Sequence, residues 1–193
     1  PVSIDSNVFT NNDIGIAGLG GTDGVSITDN AFTDYVDEGI GMDNTGGVPN
    51  DLTITGNEFS STTAGSWALA QSGATPATSS DWTLNSITGV GGGVTNAGTE
   101  ADVTLNWWGS NNEATIAARQ SGLVNFDFWL NDAGQLTTLD NIWTNGMNPA
   151  GLQGAFDQID NTVANGGTLH VTAGTYTDEF TISDKSMTVL IEE

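Results

Sequence analysis

The sequence contains no cysteine, one histidine and only two cationic side chains, Arg119 and Lys185, in 193 residues. Without thiols there is neither a disulfide framework nor a thiolate metal site, so burial alone has to stabilise the fold. The two cations face 24 Asp and Glu residues and leave a net charge of -22, a balance that repels phosphates and anionic membrane surfaces. Nucleic-acid binding is excluded on that ground. No apolar run reaches the roughly 18 residues that a membrane-crossing helix needs, so no membrane insertion is expected. No signal peptide is recognisable, and the chain opens on Pro1 rather than Met. It reads as a processed or excised segment, with any export signal or anchor expected outside this window.

What is present is the composition of a folded chain. Charged residues make up 13% and hydrophobic residues 37%, so the acidity comes from missing Lys and Arg and not from a charge-rich, disordered composition. Thr, Asn, Ser and Gly dominate the polar residues, the profile of extracellular repeat proteins, and the length suits one sizeable core or two small ones.

Self-similarity organises the first half. Val2-Ser3-Ile4-Asp5-Ser6-Asn7-Val8-Phe9, Val25-Ser26-Ile27-Thr28-Asp29-Asn30-Ala31-Phe32 and Leu52-Thr53-Ile54-Thr55-Gly56-Asn57-Glu58-Phe59 align without gaps as apolar-x-apolar-x-x-Asn-x-Phe. Weaker copies start at Trp82 and Val103, so successive starts lie 21 to 30 residues apart, one coil of a solenoid each. The alternation is that of a half-buried strand. Ile14-Gly15-Ile16, Gly39-Ile40-Gly41-Met42 and Trp67-Ala68-Leu69 read as a second strand per coil. Strands recurring in one direction at this interval pair in parallel, coil on coil. Asn7, Asn30 and Asn57 should then form one column and Phe9, Phe32 and Phe59 another. An inward Asn at a repeated turn satisfies backbone groups more simply than it binds a ligand, and the Phe column is expected to be core packing.

These residues resemble the pectate-lyase-like right-handed parallel β-helix superfamily, in particular its bacterial surface and adhesin-type members whose coils end in an Asn-Trp-Trp-Gly cap. Here that cap is Asn106-Trp107-Trp108-Gly109, followed by a helix-like Thr115-Ile116-Ala117-Ala118 and a Trp129-Leu130 step. The expected fold is all-β, a right-handed parallel β-helix with a short capping α-helix, its coils and C-terminal cap covering residues 1–131. Residues 132–150 read as a linker, with turn signals at Asn145-Gly146 and Asn148-Pro149. Residues 151–193 resemble the beginning of such a fold. Leu152, Ala155, Phe156, Ile159 and Val163 form a helical stripe that ends at Gly166-Gly167, and strand-like runs come after it around Leu169, Phe180 and Val189.

A C-terminal cap that precedes an N-terminal cap leaves the first and last coils unpaired, which points to an end-to-end interface at Val2, Ile4, Val189 and Ile191. Three arrangements fit: one period of a tandem array, a circular permutation with residues 168–193 under residues 2–9, or a head-to-tail filament.

The resemblance also sets out what catalysis would require. A lyase of this superfamily needs clustered carboxylates for Ca²⁺ and an Arg or Lys base, and only Arg119 and Lys185 exist. A polygalacturonase-like hydrolase needs paired carboxylates and further motifs, of which only Gly21-Thr22-Asp23-Gly24 is a partial match. His170 is expected on the outside of a strand, and no nucleophile elbow occurs. The run Gly18-Leu19-Gly20-Gly21-Thr22-Asp23-Gly24-Val25 approaches a calcium-binding nonapeptide, but in a single copy. Asp23, Asp34, Asp37 and Glu38 are candidates for weakly bound calcium, with a solvated acidic face as the simpler reading. The six Trp residues raise glycan stacking as an alternative to packing. The expectation is a non-catalytic structural module of a large extracellular or cell-surface protein, with no cofactor beyond weak calcium. Its partners are copies of itself or neighbouring repeats, and the alternative is a glycan-binding or degenerate polysaccharide-cleaving β-helix.

Overall fold

A computed structural model describes residues 2–18, 24–43, 52–72, 81–136, 138–159, 166–177, 179, 181 and 187–192. The first coil contributes β1 (Val2–Asp5), β2 (Val8–Thr10) and β3 (Ile14–Ala17), and the second β4 (Val25–Thr28), β5 (Ala31–Thr33) and β6 (Glu38–Asp43). The third contributes β7 (Thr53–Thr55), β8 (Glu58–Ser61) and β9 (Trp67–Ser72), and the fourth β10 (Ser86–Gly89) and β11 (Gly92–Asp102). Helix α1 (Glu113–Ala117) and β12 (Ser121–Asn125) close the fifth. The strands line up as three sheets, β1-β4-β7, β2-β5-β8-β10 and β3-β6-β9-β11-β12, with every pairing parallel. The chain is a parallel β-solenoid.

Register follows the repeat. Val2 pairs with Val25, and Ile4, Ile27 and Ile54 share one row. Phe9, Phe32, Phe59 and Ile87 share another, and Ile16, Ile40, Leu69 and Val94 a third. A one-residue slip would turn these rows out to solvent, so burial enforces the register. The first three coils therefore carry three strands each, not two, because the Phe-bearing residues form a sheet of their own. Its strands, as short as three residues, are too brief for alternation to reveal.

The column of residues immediately before each Asn, Ser6, Asp29, Gly56, Leu84 and Leu105, has positive φ, from 54° to 69°. This left-handed turn, comfortable for glycine and costly for Leu, fixes the column. It also corrects the alignment of the two weaker copies. Thr53 bridges Asp81, and the Gly56 N–H donates to the Leu84 carbonyl, so Trp82 takes the row of Ile54 and not that of Leu52.

Packing across the solenoid interior is complementary from coil to coil. A Cβ on Gly39 would lie 2.8 Å from the Phe59 ring and 2.8 Å from the Ala68 carbonyl oxygen. One coil further on, where Ile87 replaces Phe, Ala68 occupies the glycine row. Gly39→Ala is therefore expected to cost about 1–3 kcal/mol through overpacking, read as a lower urea midpoint, and Phe59→Leu in the same chain should restore part of it.

After the fifth coil, β13 (Trp129–Leu130) pairs antiparallel with β14 (Asn141–Thr144). Parallel pairing then resumes through β15 (Thr168–Val171) and β16 (Thr188–Ile191), with helix α2 (Gly151–Gln158) lying between β14 and β15 in sequence. The segment read as a linker thus carries a core strand, with Ile142 fully buried. Helix α2 buries Leu152, Ala155 and Phe156. It ends at Gln158, with Ile159 extended yet buried, instead of running on to Gly166. Val163, Phe180 and Ile182 lie outside the described residues. A second core gathers Leu130, Ile142, Phe156, Leu169 and Val171 with Leu105 and Phe128, and Leu84 and Trp107 pack against it. Leu105 is buried and Leu84 half-buried against this core; full burial of a Leu side chain is worth about 1.5–3 kcal/mol, so their burial opposes the cost of the left-handed turn, about 1–2 kcal/mol.

Candidate functional site: the stacking columns and the two free edges

The asparagines form one continuous ladder of five. The main-chain N–H and Nδ2 of Asn7 both donate to Asn30 Oδ1, those of Asn30 to Asn57 Oδ1, those of Asn57 to Asn85 Oδ1 and those of Asn85 to Asn106 Oδ1, at 2.8–3.2 Å. Each amide nitrogen from Asn30 onward also donates to a carbonyl of the coil before it: Ile4, Ile27, Ile54 and Trp82 respectively. Asn30, Asn57, Asn85 and Asn106 are buried, and this donor set satisfies them. Asn85 and Asn106 carry the same role as the three asparagines of the repeat. The signal that identifies them is their spacing from the left-handed turn, not from the apolar pair. Phe9, Phe32 and Phe59 stack with centroids 4.8 Å apart and planes 5° apart.

In the Asn106-Trp107-Trp108-Gly109 segment, Trp108 is fully buried and Trp107 partly exposed. Arg119 folds back over the Trp107-Trp108-Gly109 segment. Its guanidinium donates to the carbonyls of Gly91, Ile87, Thr88 and Trp108, and burial draws its pKa below the ordinary value. The cation that the resemblance offered as a lyase base is thus committed to main-chain carbonyls. Lys185 lies outside the described residues.

A residue that sequence reasoning missed ties the end of the solenoid to the C-terminal strands. Asp127, 2% exposed, accepts from the N–H groups of Phe128 and Asn145 on Oδ1 and from Asn148 N–H and Thr144 Oγ1 on Oδ2, at 2.8–3.2 Å. It joins the tail of the solenoid to the turn between β14 and α2.

The acidic candidates do not converge. Asp34 accepts from Thr62 Oγ1 at 3.0 Å, Asp37 is exposed, and Glu38 lies in β6 with its carboxyl pushed up first by burial and then by Asp37. Asp23 lies outside the described residues. Among the described residues no group of three or more His, Asp or Glu is placed to hold a metal ion. Burial, with Glu100 and Asp127 nearby, also raises Asp102, against a smaller opposing hydrogen bond from the Thr104 backbone. A carboxyl whose folded pKa exceeds its unfolded one binds the proton more tightly when folded, so stability falls as pH rises through that window. Acidifying from pH 7 into the range just above the ordinary carboxylate pKa is expected to raise the thermal midpoint, and Glu38→Gln should flatten that rise.

The tryptophans are mostly packed. Trp82, Trp108 and Trp129 are buried. Trp143 stacks between Trp129 (6.1 Å) and His170 (4.4 Å), so both of its faces are covered. His170 stands on the outer side of β15 as expected and contacts Glu192 Oε1 through Nδ1 at 2.8 Å.

The predicted interface residues lie at the two free edges. Main-chain hydrogen bonds run from β1 through β4 and β7 to Asp81, Leu84, Leu105 and Phe128, and from Asn106 through Leu130 into β14, β15 and β16. At one edge Val2 is 50% exposed, whereas Val25, the next residue in its row, is 2% exposed. At the other Ile191 is 75% exposed beside Val171 at 3%. Ile4 and Val189 are half-buried. Among the described residues β1 pairs with β4 alone and β16 with β15 alone.

The sequence matches no family model, no curated protein and no solved structure at a significant level, so the chain is characterised by its fold alone, an all-β parallel solenoid with short helices.

Proposed function

We propose that the chain is a non-catalytic structural module of a large extracellular or cell-surface protein, and that its function is to stack end to end, as a tandem repeat or a filament subunit. The observation that carries this reading is the pair of free edges. Among the described residues, each end of the hydrogen-bond ladder presents a strand without a second partner and with an apolar-x-apolar pair, Val2 and Ile4 at one end, Val189 and Ile191 at the other, in rows that are buried one strand further in. Unpaired edges of this kind seek a strand, and a contact between unlike ends that does not close propagates. The resemblance to surface-type β-helix proteins and the Thr, Asn, Ser and Gly-rich composition support the extracellular setting. The glycan-binding alternative has less support, because Trp143 offers no free face and three other tryptophans are buried.

Charge sets the conditions. A net charge of -22 makes copies repel, and screening shortens that repulsion from about 10 Å at 0.1 M salt to about 3 Å at 1 M. Sedimentation velocity should therefore show monomer at low salt and concentration-dependent growth at molar NaCl. Ile4→Lys or Ile191→Lys, at opposite ends, should each stop growth. A chain that stays monomeric at millimolar concentration and molar salt would refute the proposal.

A further inference from the structure

We propose that the edge formed by β1, β2 and β3 accepts one kind of partner, a parallel β-coil that carries an asparagine at the ladder position. This rests on the reading that the ends stack, and it names what the first end selects. Every later asparagine in the ladder accepts two hydrogen bonds on Oδ1 from the coil before it, and sends one from Nδ2 to a carbonyl of that coil. Asn7 donates to the Asp5 carbonyl and Asn30 Oδ1, but among the described residues no group donates to its own Oδ1. Beside it, Phe9 stacks on Phe32 through one face, and Val2 and Ile4 leave their row open.

Four columns end here in open positions: two aliphatic, one amide and one aromatic. Their order is that of the repeat, apolar-x-apolar-x-x-Asn-x-Phe. An apolar surface or an arbitrary strand would cover Val2 and Ile4 while leaving the Asn7 carbonyl oxygen desolvated and unpaired, which is costly. A coil with its own asparagine fills every column, as each coil inside the molecule does for the next.

The test adds such a coil. A duplicate of residues 25–51 is fused directly ahead of Val2, which sets the added asparagine one 27-residue period from Asn7, the Asn30 to Asn57 spacing. Amide exchange in β1 and β2 should slow about tenfold or more, as two added hydrogen bonds imply. The substitutions Asn→Ala in the added coil and Asn7→Ala should be non-additive in a double-mutant cycle, with a coupling of several-fold in the folding constant. If exchange slows but the two substitutions are additive, the edge takes coils without selecting the asparagine, and this inference fails while the stacking proposal survives. If exchange does not slow, the edge is not a coil-accepting surface, and both fail.

Discussion

Asn57→Ala is expected to lower the unfolding free energy by about 3–5 kcal/mol, because each buried polar group stranded in a protein interior costs about 1–3 kcal/mol. The side chain accepts from the N–H and Nδ2 of Asn30, and donates to the carbonyls of Ile27 and Thr55 and to Asn85 Oδ1. Its loss leaves the Asn30 donors and two carbonyls short of partners in the middle of the molecule, where water does not reach. The contrast with the end of the ladder makes the prediction specific. Asn7 is exposed and its Oδ1 has no donor among the described residues, so Asn7→Ala should cost about 1 kcal/mol or less. Asn57→Asp preserves the shape but replaces two donors with a carboxylate facing carbonyl oxygens. It should be at least as damaging as Ala at pH 7 and recover on acidification, when the protonated acid donates again. Urea unfolding of the three variants at pH 7 and pH 4 reads all of this. Equal costs at positions 7 and 57 would mean that the ladder does not hold the coils together.

The second large effect is expected at Asp127. Removing a buried carboxylate that accepts four hydrogen bonds leaves three main-chain donors and a threonine hydroxyl unpaired, a loss of about 3–5 kcal/mol. The loss should be local. Asp127→Ala is expected to speed amide exchange in β14, β15 and β16 while the amides of β4, β5 and β6 keep their protection, because the second core (Ile142, Phe156, Leu169) is joined to the solenoid through Leu84, Leu105, Trp107 and this carboxylate. Asp127→Asn should recover only part, since its amide has one acceptor oxygen and turns donors toward donors. Uniform acceleration across all sheets would show that the two cores unfold as one unit and that Asp127 is not the joint between them.

Legibility in the sequence depends on where each interaction lies in the chain. The first three coils can be read because their strands, turn and aromatic row recur together within eight residues, and local alternation encodes the inward face. The fourth and fifth coils are readable as coils but misaligned by two residues, because Leu84 and Leu105, which stand at the left-handed turn of Gly56, read in the sequence as the second apolar residue of the pair. Those leucines point to a core that local patterning does not reveal. β14 is hidden for a related reason. Asn141-Ile142-Trp143-Thr144 is four residues long and sits between turn signals, and its burial depends on β13 and β15, partners 12 and 27 residues away. Asp127 is invisible as a joint because a carboxylate in an acidic sequence reads as solvated unless its donors are known, and three of these lie 17 to 21 residues further on. Arg119 stands out as one of two cations, but the carbonyls that occupy it come together only when the coils stack.

The end-to-end proposal is tested most directly at the edges themselves, by amide exchange of β1 and β16 at fixed molar salt while protein concentration is raised. If the ends stack, protection at both edges rises together with concentration, and the interior strands stay as they were. Edges that exchange freely at every concentration, or protection that gathers instead on the lateral faces of the sheets, would contradict it.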